Sequence, residues 1–236
     1  MELNALQDND RGTIIGRRSF GKGLVQSQTE FHDGSALRLT VARYYTPTGR
    51  SIQKPYVNGD EKAYQMDLIN RINHHELFSA DSIHFDDSMK FRTPGGRTVY
   101  GGGAVMPDVF VPLDTLQYTE LYRKISRANL IVNASTKYIN NNRKKLASKY
   151  EDFDAFNATY SVPEKLLTEI FEKATEKDLK PKDDAEQQAT ADQLAFTLKA
   201  LVAYDLWSRN EYLRIINERD DIVNRALEIL KEEAQF

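Results

Sequence analysis

The feature that most constrains the fold of this chain is a change of sequence texture near Pro112 and Asp114. Ahead of it the sequence is written in strands and turns; beyond it the spacing is helical almost throughout. Residues Ala36 to Tyr45 alternate Leu37, Leu39 and Val41 with Arg38, Thr40 and Ala42, the period-two pattern of a half-buried strand. The preceding His32-Asp33-Gly34-Ser35 supplies turn residues for a hairpin. From Asp60 to Leu77, Met66, Ile69 and Ile72 fall at helical spacing, so a helix is expected there, inserted within the strand region. Ser79 to Thr93 is polar and poorly periodic, and Arg97 to Tyr100 and Val109 to Val111 read as short strands around a glycine-rich turn.

After Asp114 a long, interrupted helical stretch runs from Thr115 to about Leu146, with Leu121, Ile125, Ala128 and Val132 on one side. Ser161-Val162-Pro163-Glu164 and Ser208-Arg209-Asn210-Glu211 both have the Ser-x-x-Glu form of a capping box and place helix starts near 162 and 209. Lys180-Pro181-Lys182-Asp183 breaks the run. Leu194, Leu198, Leu201 and Val202 then form an apolar stripe, and a last helix is expected from Asp221 to Glu233. Trp207 sits at a predicted helix junction as a packing anchor. Two domains are therefore expected, residues 1–114 and an all-α helical domain over residues 115–236.

Composition narrows the function classes. The 236 residues carry a net charge of −3, which gives no reason to expect nucleic acid. No apolar run approaches a membrane span, and with no cysteine there are neither disulfides nor thiolate metal sites. His74, His75, Glu76, His84 and Asp86 cluster in sequence but lack His-Glu-x-x-His spacing, so no metal site is expected, nor any other cofactor. Gly101-Gly102-Gly103 precedes a strand and reads as a turn rather than an anion cradle.

The chemistry concentrates in Arg17-Arg18-Ser19-Phe20-Gly21-Lys22-Gly23-Leu24-Val25-Gln26, where a lysine stands between two glycines after the apolar run Thr13-Ile14-Ile15-Gly16. Gly16, Gly21 and Lys22 nearly satisfy the phosphate-binding loop G-x-x-x-x-G-K. The magnesium-ligating Ser or Thr is replaced by Gly23, though, and residues 24–31 are strand-like rather than helical. Ser19 and Lys22 form a Ser-x-x-Lys pair, but Phe20-Gly21-Lys22-Gly23 is a poor helix and the companion motifs are missing. In a third reading Lys22 is the general base for a serine elsewhere, which requires a neutral amine and so burial or a neighbouring positive charge. Gln26 would share a strand face with Lys22. Four residues of strand span about 13 Å, so contact would need long side chains or a kink at Gly23. Residue chemistry by itself equally accommodates, and indeed favours, a solvated loop lysine.

A resemblance bears on that choice. The runs Ala5 to Arg11 and Ile15 to Gln26 resemble the C-terminal processing peptidases, or tail-specific serine proteases. The likeness continues through Leu37 to Gln53 and returns at Gly101 to Pro112, three blocks in order over about half the chain. The resemblance implies an α/β fold for residues 1–114, part of a ClpP/crotonase-like protease core. It implies Lys22 as the base of a Ser-Lys dyad, Gln26 as the residue that orients it, and polypeptides as substrates. It also implies an exported, periplasmic or cell-envelope bacterial enzyme.

The departure from the family pattern is as informative. The family's nucleophilic serine, its oxyanion-hole amides and its peptide-binding PDZ domain would all fall ahead of Met1, so no nucleophile is assigned in this chain. The expectation is a carboxyl-terminal part that does not cleave peptides alone. Strand edges left open in residues 1–112 are expected to pair with a second copy or to be covered by helices. The alternative function is an interaction module, with residues 115–236 forming a homodimer or holding a partner protein.

Overall fold

The computed structural model describes residues 2–57, 59–115 and 117–233. The chain divides into two compact units, residues 1–114 and 115–236; the described residues are nearly half helical and include three small two-stranded sheets.

The first unit opens with helix α1 (Glu2–Asp8) and strand β1 (Ile15–Gly16). Next come β2 (Leu24–Glu30) and β3 (Ala36–Arg43), helix α2 (Glu61–Asn73), and strands β4 (Lys90–Arg92), β5 (Thr98–Tyr100) and β6 (Val109–Phe110). β1 pairs in parallel with β6, while β2–β3 and β4–β5 are antiparallel hairpins. The β2–β3 turn closes where Gly34 takes φ 83° and Asp33 Oδ1 accepts from both the Ser35 N–H and its hydroxyl. Such side-chain-to-backbone bonds are what aspartate contributes to turns. A small apolar core of Ile52, Ile83, Val99, Ala104, Val105 and Val111 is supplemented by buried polar groups, among them Asp8, Arg50, Gln53 and Lys54. Asp8 and Arg50 tie α1 to the rest of the unit. Arg50 pairs with Asp8 and donates to Gln7 Oε1 at 2.9 Å, while Gln7 Nε2 donates to Met106 O at 2.9 Å.

One expectation is corrected in this unit, and the helix expected between Asp60 and Leu77 forms with an unexpected exposure. β3 is not half-buried: every residue from Ala36 to Arg43 is exposed, with Val41 at 63%. The hairpin is a single ladder, and among the described residues no third strand joins it, so its alternation has no layer to pack against. In α2 the apolar residues Met66, Ile69 and Ile72 lie exposed, and the buried side chain is Arg71. The Arg71 guanidinium bonds Ser19 O at 2.8 Å and pairs with Asp67 at 3.1 Å. Burial, followed by the neighbouring Arg18, lowers its pKa. The irregular stretch after Ser79 contains two 3-10 turns and the short strand β4, which its polar residues did not announce.

The second unit is all helix: α3 (Glu120–Arg127), α4 (Leu130–Lys149), α5 (Phe153–Thr159), α6 (Glu164–Glu176), α7 (Asp184–Leu206), α8 (Arg209–Ile216) and α9 (Asp221–Glu233). Side-chain N-caps from Thr119, Asp152, Asp183 and Ser208 start four of them. Each accepts a backbone N–H that the first helical turn leaves without a partner. Pro163, not a serine, stands at the N-cap of α6, so the Ser161 box is not formed. The expected apolar row from Leu121 to Val132 breaks at Asn129, whose φ of 58° changes the helical phase. Leu130, Ile131 and Ala134 therefore turn inward, and Val132 is 55% exposed. One apolar cluster gathers Ile125, Ile131, Ile170 and Leu194; a second gathers Ile139, Phe156, Val202 and Ile215. α4 and α7 run through both. Trp207 caps α7 and packs edge-on against Phe153 and Phe156 at 5.9 and 5.2 Å.

Candidate active site

Lys22 is presented on the short loop between β1 and β2, and the two flanking glycines explain why the loop can sit where it does. Gly21 O accepts the Lys54 N–H at 2.9 Å, and Gly23 O accepts the Tyr44 N–H at 2.8 Å. The buried Gly23 N–H donates to Gln53 Oε1 at 2.8 Å. Gly21 adopts φ 86°, where an L side chain is strained, and a Cβ there would lie 3.2 Å from Ala104 Cβ and from Ile52 O. A Cβ at Gly23 would meet Ile52 Cγ1 at 2.9 Å. The loop is thus pressed between Ala104 and the Ile52–Lys54 segment, and its backbone approaches both only because side chains are missing at 21 and 23.

Lys22 itself is exposed and lines a cleft of about 780 Å³. Leu24 and Gln26, the alternate residues along β2, line the same cleft, as do Val41 and Arg43 of β3. The strand irregularity falls at Val25/Gln26 rather than at Gly23. Val25 faces Ala42 while Gln26 faces Thr40, which leaves Val41 as the extra residue on β3. Such a bulge bends and twists the ladder locally and re-aims the side chains beside it. Among the described residues, neither Lys22 Nζ nor the Gln26 carboxamide makes a hydrogen bond or ion pair.

The opposite wall is aromatic. Tyr64, on α2, meets Phe20 and Tyr56 edge-on with centroids 6.3 and 5.8 Å apart. Behind it lies Lys54, only 3% exposed, with its ammonium 3.8 Å from the Tyr64 ring centroid and 4.3 Å from that of Phe20. The same ammonium donates to Tyr64 O at 2.7 Å and pairs with Asp67 at 3.2 Å. Sequence reasoning assigned nothing to Gln53, Lys54, Tyr56 or Tyr64. The last two carry no motif, and an amide or amine becomes legible as part of a site only when its partners are known.

The competing readings of the lysine loop separate on this geometry. Gly23 is followed at once by β2 and not by a helix N-terminus, so the backbone lacks the phosphate-binding arrangement. Ser19 Oγ accepts the Val105 N–H at 3.0 Å and Ser19 N donates back to Val105 O at 2.9 Å, which fastens that serine into the Gly103–Val105 segment. Among the described residues no three His, Cys, Asp or Glu side chains converge as metal ligands, and no helix is long and apolar enough to cross a membrane.

Residues 3–63, which contain the whole Lys22 loop and both strands of the hairpin, match peptidase family S41. The matched segment is that of a peptidase. It is a peptidase-family fragment, similar to the carboxyl-terminal processing peptidases. Residues 121–208 match a family of unknown function (DUF8443). Similar curated proteins include a carboxyl-terminal-processing protease of Synechocystis sp., 37% identical over 91 residues, covering 39% of this chain and 20% of that protein. A carboxy-terminal-processing protease of Bartonella bacilliformis is 61% identical over 49 residues, 21% of this chain and 11% of that protein. The chloroplastic carboxyl-terminal-processing peptidase 3 of Arabidopsis thaliana is 52% identical over 50 residues, 21% of this chain and 10% of that protein. The chain thus spans between a tenth and a fifth of the length of these relatives. No solved structure matches it.

Proposed function

We propose that this chain supplies the general-base side of a serine endopeptidase that cleaves polypeptides near their carboxyl termini. Lys22 is the base and Gln26 orients its amine. Residues 1–114 form the later part of a ClpP/crotonase-like catalytic core in this reading, and the nucleophilic serine lies outside residues 1–236. The observation that carries the reading is the shared cleft: Lys22, on a loop held by Gly21 and Gly23, and Gln26, on β2, both line it.

The reaction is then that of an amine base. Neutral Lys22 takes the serine hydroxyl proton as the oxygen attacks the scissile carbonyl, and the resulting ammonium returns the proton to the leaving amine. Water repeats the sequence on the acyl-enzyme. The amine must be neutral near pH 7, which calls for desolvation when the serine side and substrate close over the cleft. The family resemblance supports an exported protein working in the periplasm or cell envelope.

A peptidase assay tests this. Residues 1–236 alone are inert toward unstructured peptides in this reading, and a polypeptide that also contains the serine segment is active. In that protein Lys22→Ala lowers kcat by at least about 10²-fold, the usual contribution of a general base, and Gln26→Ala by less. Full activity in Lys22→Ala would end the assignment.

An alternative assigns residues 115–236 to dimerisation or to a partner protein. It draws support from α9, where Leu227 and Leu230 are 47% and 60% exposed on an amphipathic helix. Sedimentation of residues 1–236 as a monomer at all accessible concentrations would remove the homodimer.

A further inference from the structure

Gln53 has no part in the reaction as described, yet its side chain is the only one bonded to the backbone of the lysine loop next to Lys22 itself, among the described residues. It is 6% exposed. Oε1 accepts the Gly23 N–H at 2.8 Å, while Nε2 donates to Lys54 O at 3.0 Å and lies 3.5 Å from the Tyr64 hydroxyl. One carboxamide therefore joins three parts of the site: the residue after Lys22, the backbone of the buried Lys54, and the aromatic wall on α2. Gln53 also lines the cleft beside Lys22.

We propose that Gln53 is a positioning residue for the general base, setting the direction in which Lys22 leaves its loop. The proposal rests on the reading of Lys22 as that base. The peptide linking Lys22 to Gly23 carries the N–H that Gln53 accepts, so the orientation of that peptide plane and of the Lys22 side chain are set together. Gly23 has no side chain to brace the plane, and Ile52 already fills the space a Cβ would need. Without the acceptor, a buried N–H is left without a partner and the loop satisfies it only by turning toward water. Lys22 turns with it. A base displaced by about 1 Å loses on the order of 10²-fold in rate.

Two substitutions separate positioning from simple support of the fold. Gln53→Met keeps the size of the side chain and removes all three hydrogen bonds. Gln53→Glu keeps the acceptor for Gly23 and places a negative charge on the cleft. The titratable groups facing that position are Lys22, Arg43 of β3, Tyr56 and Tyr64, with Lys54 and Asp67 behind Tyr64.

In the catalytically complete protein, Gln53→Met is expected to lower kcat by about 10- to 100-fold with KM changed less than about twofold. Gln53→Glu is expected to recover part of that loss, since it keeps the acceptor for the Gly23 N–H. In residues 1–236 without the serine segment, Gln53→Met should speed hydrogen exchange at the Gly23 amide by at least about tenfold while the amides of α2 keep their protection, a readout that needs no activity. Wild-type kcat in Gln53→Met, or unchanged exchange at Gly23, would overturn the proposal. So would Gln53→Glu losing as much kcat as Gln53→Met. Activity retained in Lys22→Ala would instead overturn the underlying assignment of the base, so the two failures are distinct.

Discussion

Arg50 and Asp8 form an ion pair of 2.5 Å with their side chains 1% and 0% exposed, and this pair fastens α1 to the turn after β3. Thr48 Oγ1 donates to the other carboxylate oxygen at 2.6 Å, and Arg50 Nη1 donates to Tyr100 O at 2.8 Å, so both charges are satisfied on several sides. A buried charge left without its partner is among the largest single-site losses a fold can suffer. Arg50→Met is expected to destabilise the first unit by about 3–5 kcal/mol, and the double variant Arg50→Met with Asp8→Leu by clearly less. Chemical denaturation followed through the NMR signals of residues 2–114 would show whether the second substitution recovers stability.

The same pair predicts a pH dependence. Burial pushes the Asp8 carboxyl pKa up, but hydrogen bonds from Arg50, Thr46 and Thr48 together with the Arg50 charge more than offset it, and the net shift is downward. A carboxylate with a depressed folded-state pKa contributes stability in full above its unfolded value of about 3.9. That contribution disappears as pH falls from about 4 through the lower pKa of the folded chain. Denaturation midpoints of the first unit measured from about pH 7 to about pH 2 should therefore fall below about pH 4, with a shallower fall in Asp8→Asn.

Gly21 and Gly23 should respond differently to alanine. At Gly21 the strain is in the backbone, since φ 86° is retained by the bonds to Lys54 and the contact with Ala104; about 1–3 kcal/mol is expected to be lost. At Gly23 the obstacle is Ile52 Cγ1, 2.9 Å from the new methyl group. Removing that atom in Gly23→Ala with Ile52→Ala should cost less than the sum of the two single changes, whereas Ile52→Ala should add in full to Gly21→Ala, which meets Ile52 only at its backbone oxygen. Thermal melts of the three single and two double variants would decide.

Helix starts offer a plain comparison of sequence with structure. Ser208 accepts the Asn210 N–H at 3.1 Å and its hydroxyl donates to Glu211 at 2.6 Å, so Ser208→Ala is expected to cost about 1 kcal/mol. Ser161 carries the same four-residue pattern without the cap, because Pro163 occupies the N-cap and the helix starts at Glu164. Ser161→Ala should leave the melting temperature within error.

That contrast shows what was legible in the chain and what was not. Local signals that act within a turn of helix or a hairpin were readable: the Asp33–Ser35 turn, the break before Asp183, the span of α9 and the junction at Trp207. Signals that depend on what lies opposite were not. Leu37, Leu39 and Val41 alternate as a buried face would, and Met66, Ile69 and Ile72 space as a core helix would, yet all six are exposed. Periodicity says which residues share a side; it does not say that anything covers that side. At the site, the Lys22 loop was visible in its glycines and in the family resemblance. The carboxamide of Gln53 that holds it, thirty positions away, leaves no trace in spacing or composition.

α7 extends through both apolar clusters of the second unit, giving Leu194 and Leu198 to one and Val202 and Ala203 to the other. Neither cluster can open by itself without unwinding the helix that completes its neighbour. Helices α3 to α8 should thus behave as one foldon, with a single sharp calorimetric transition and matching exchange protection at the two ends of α7. A cavity made at Leu194 will then be felt at Trp207, in the far cluster, as a lowered midpoint of fluorescence.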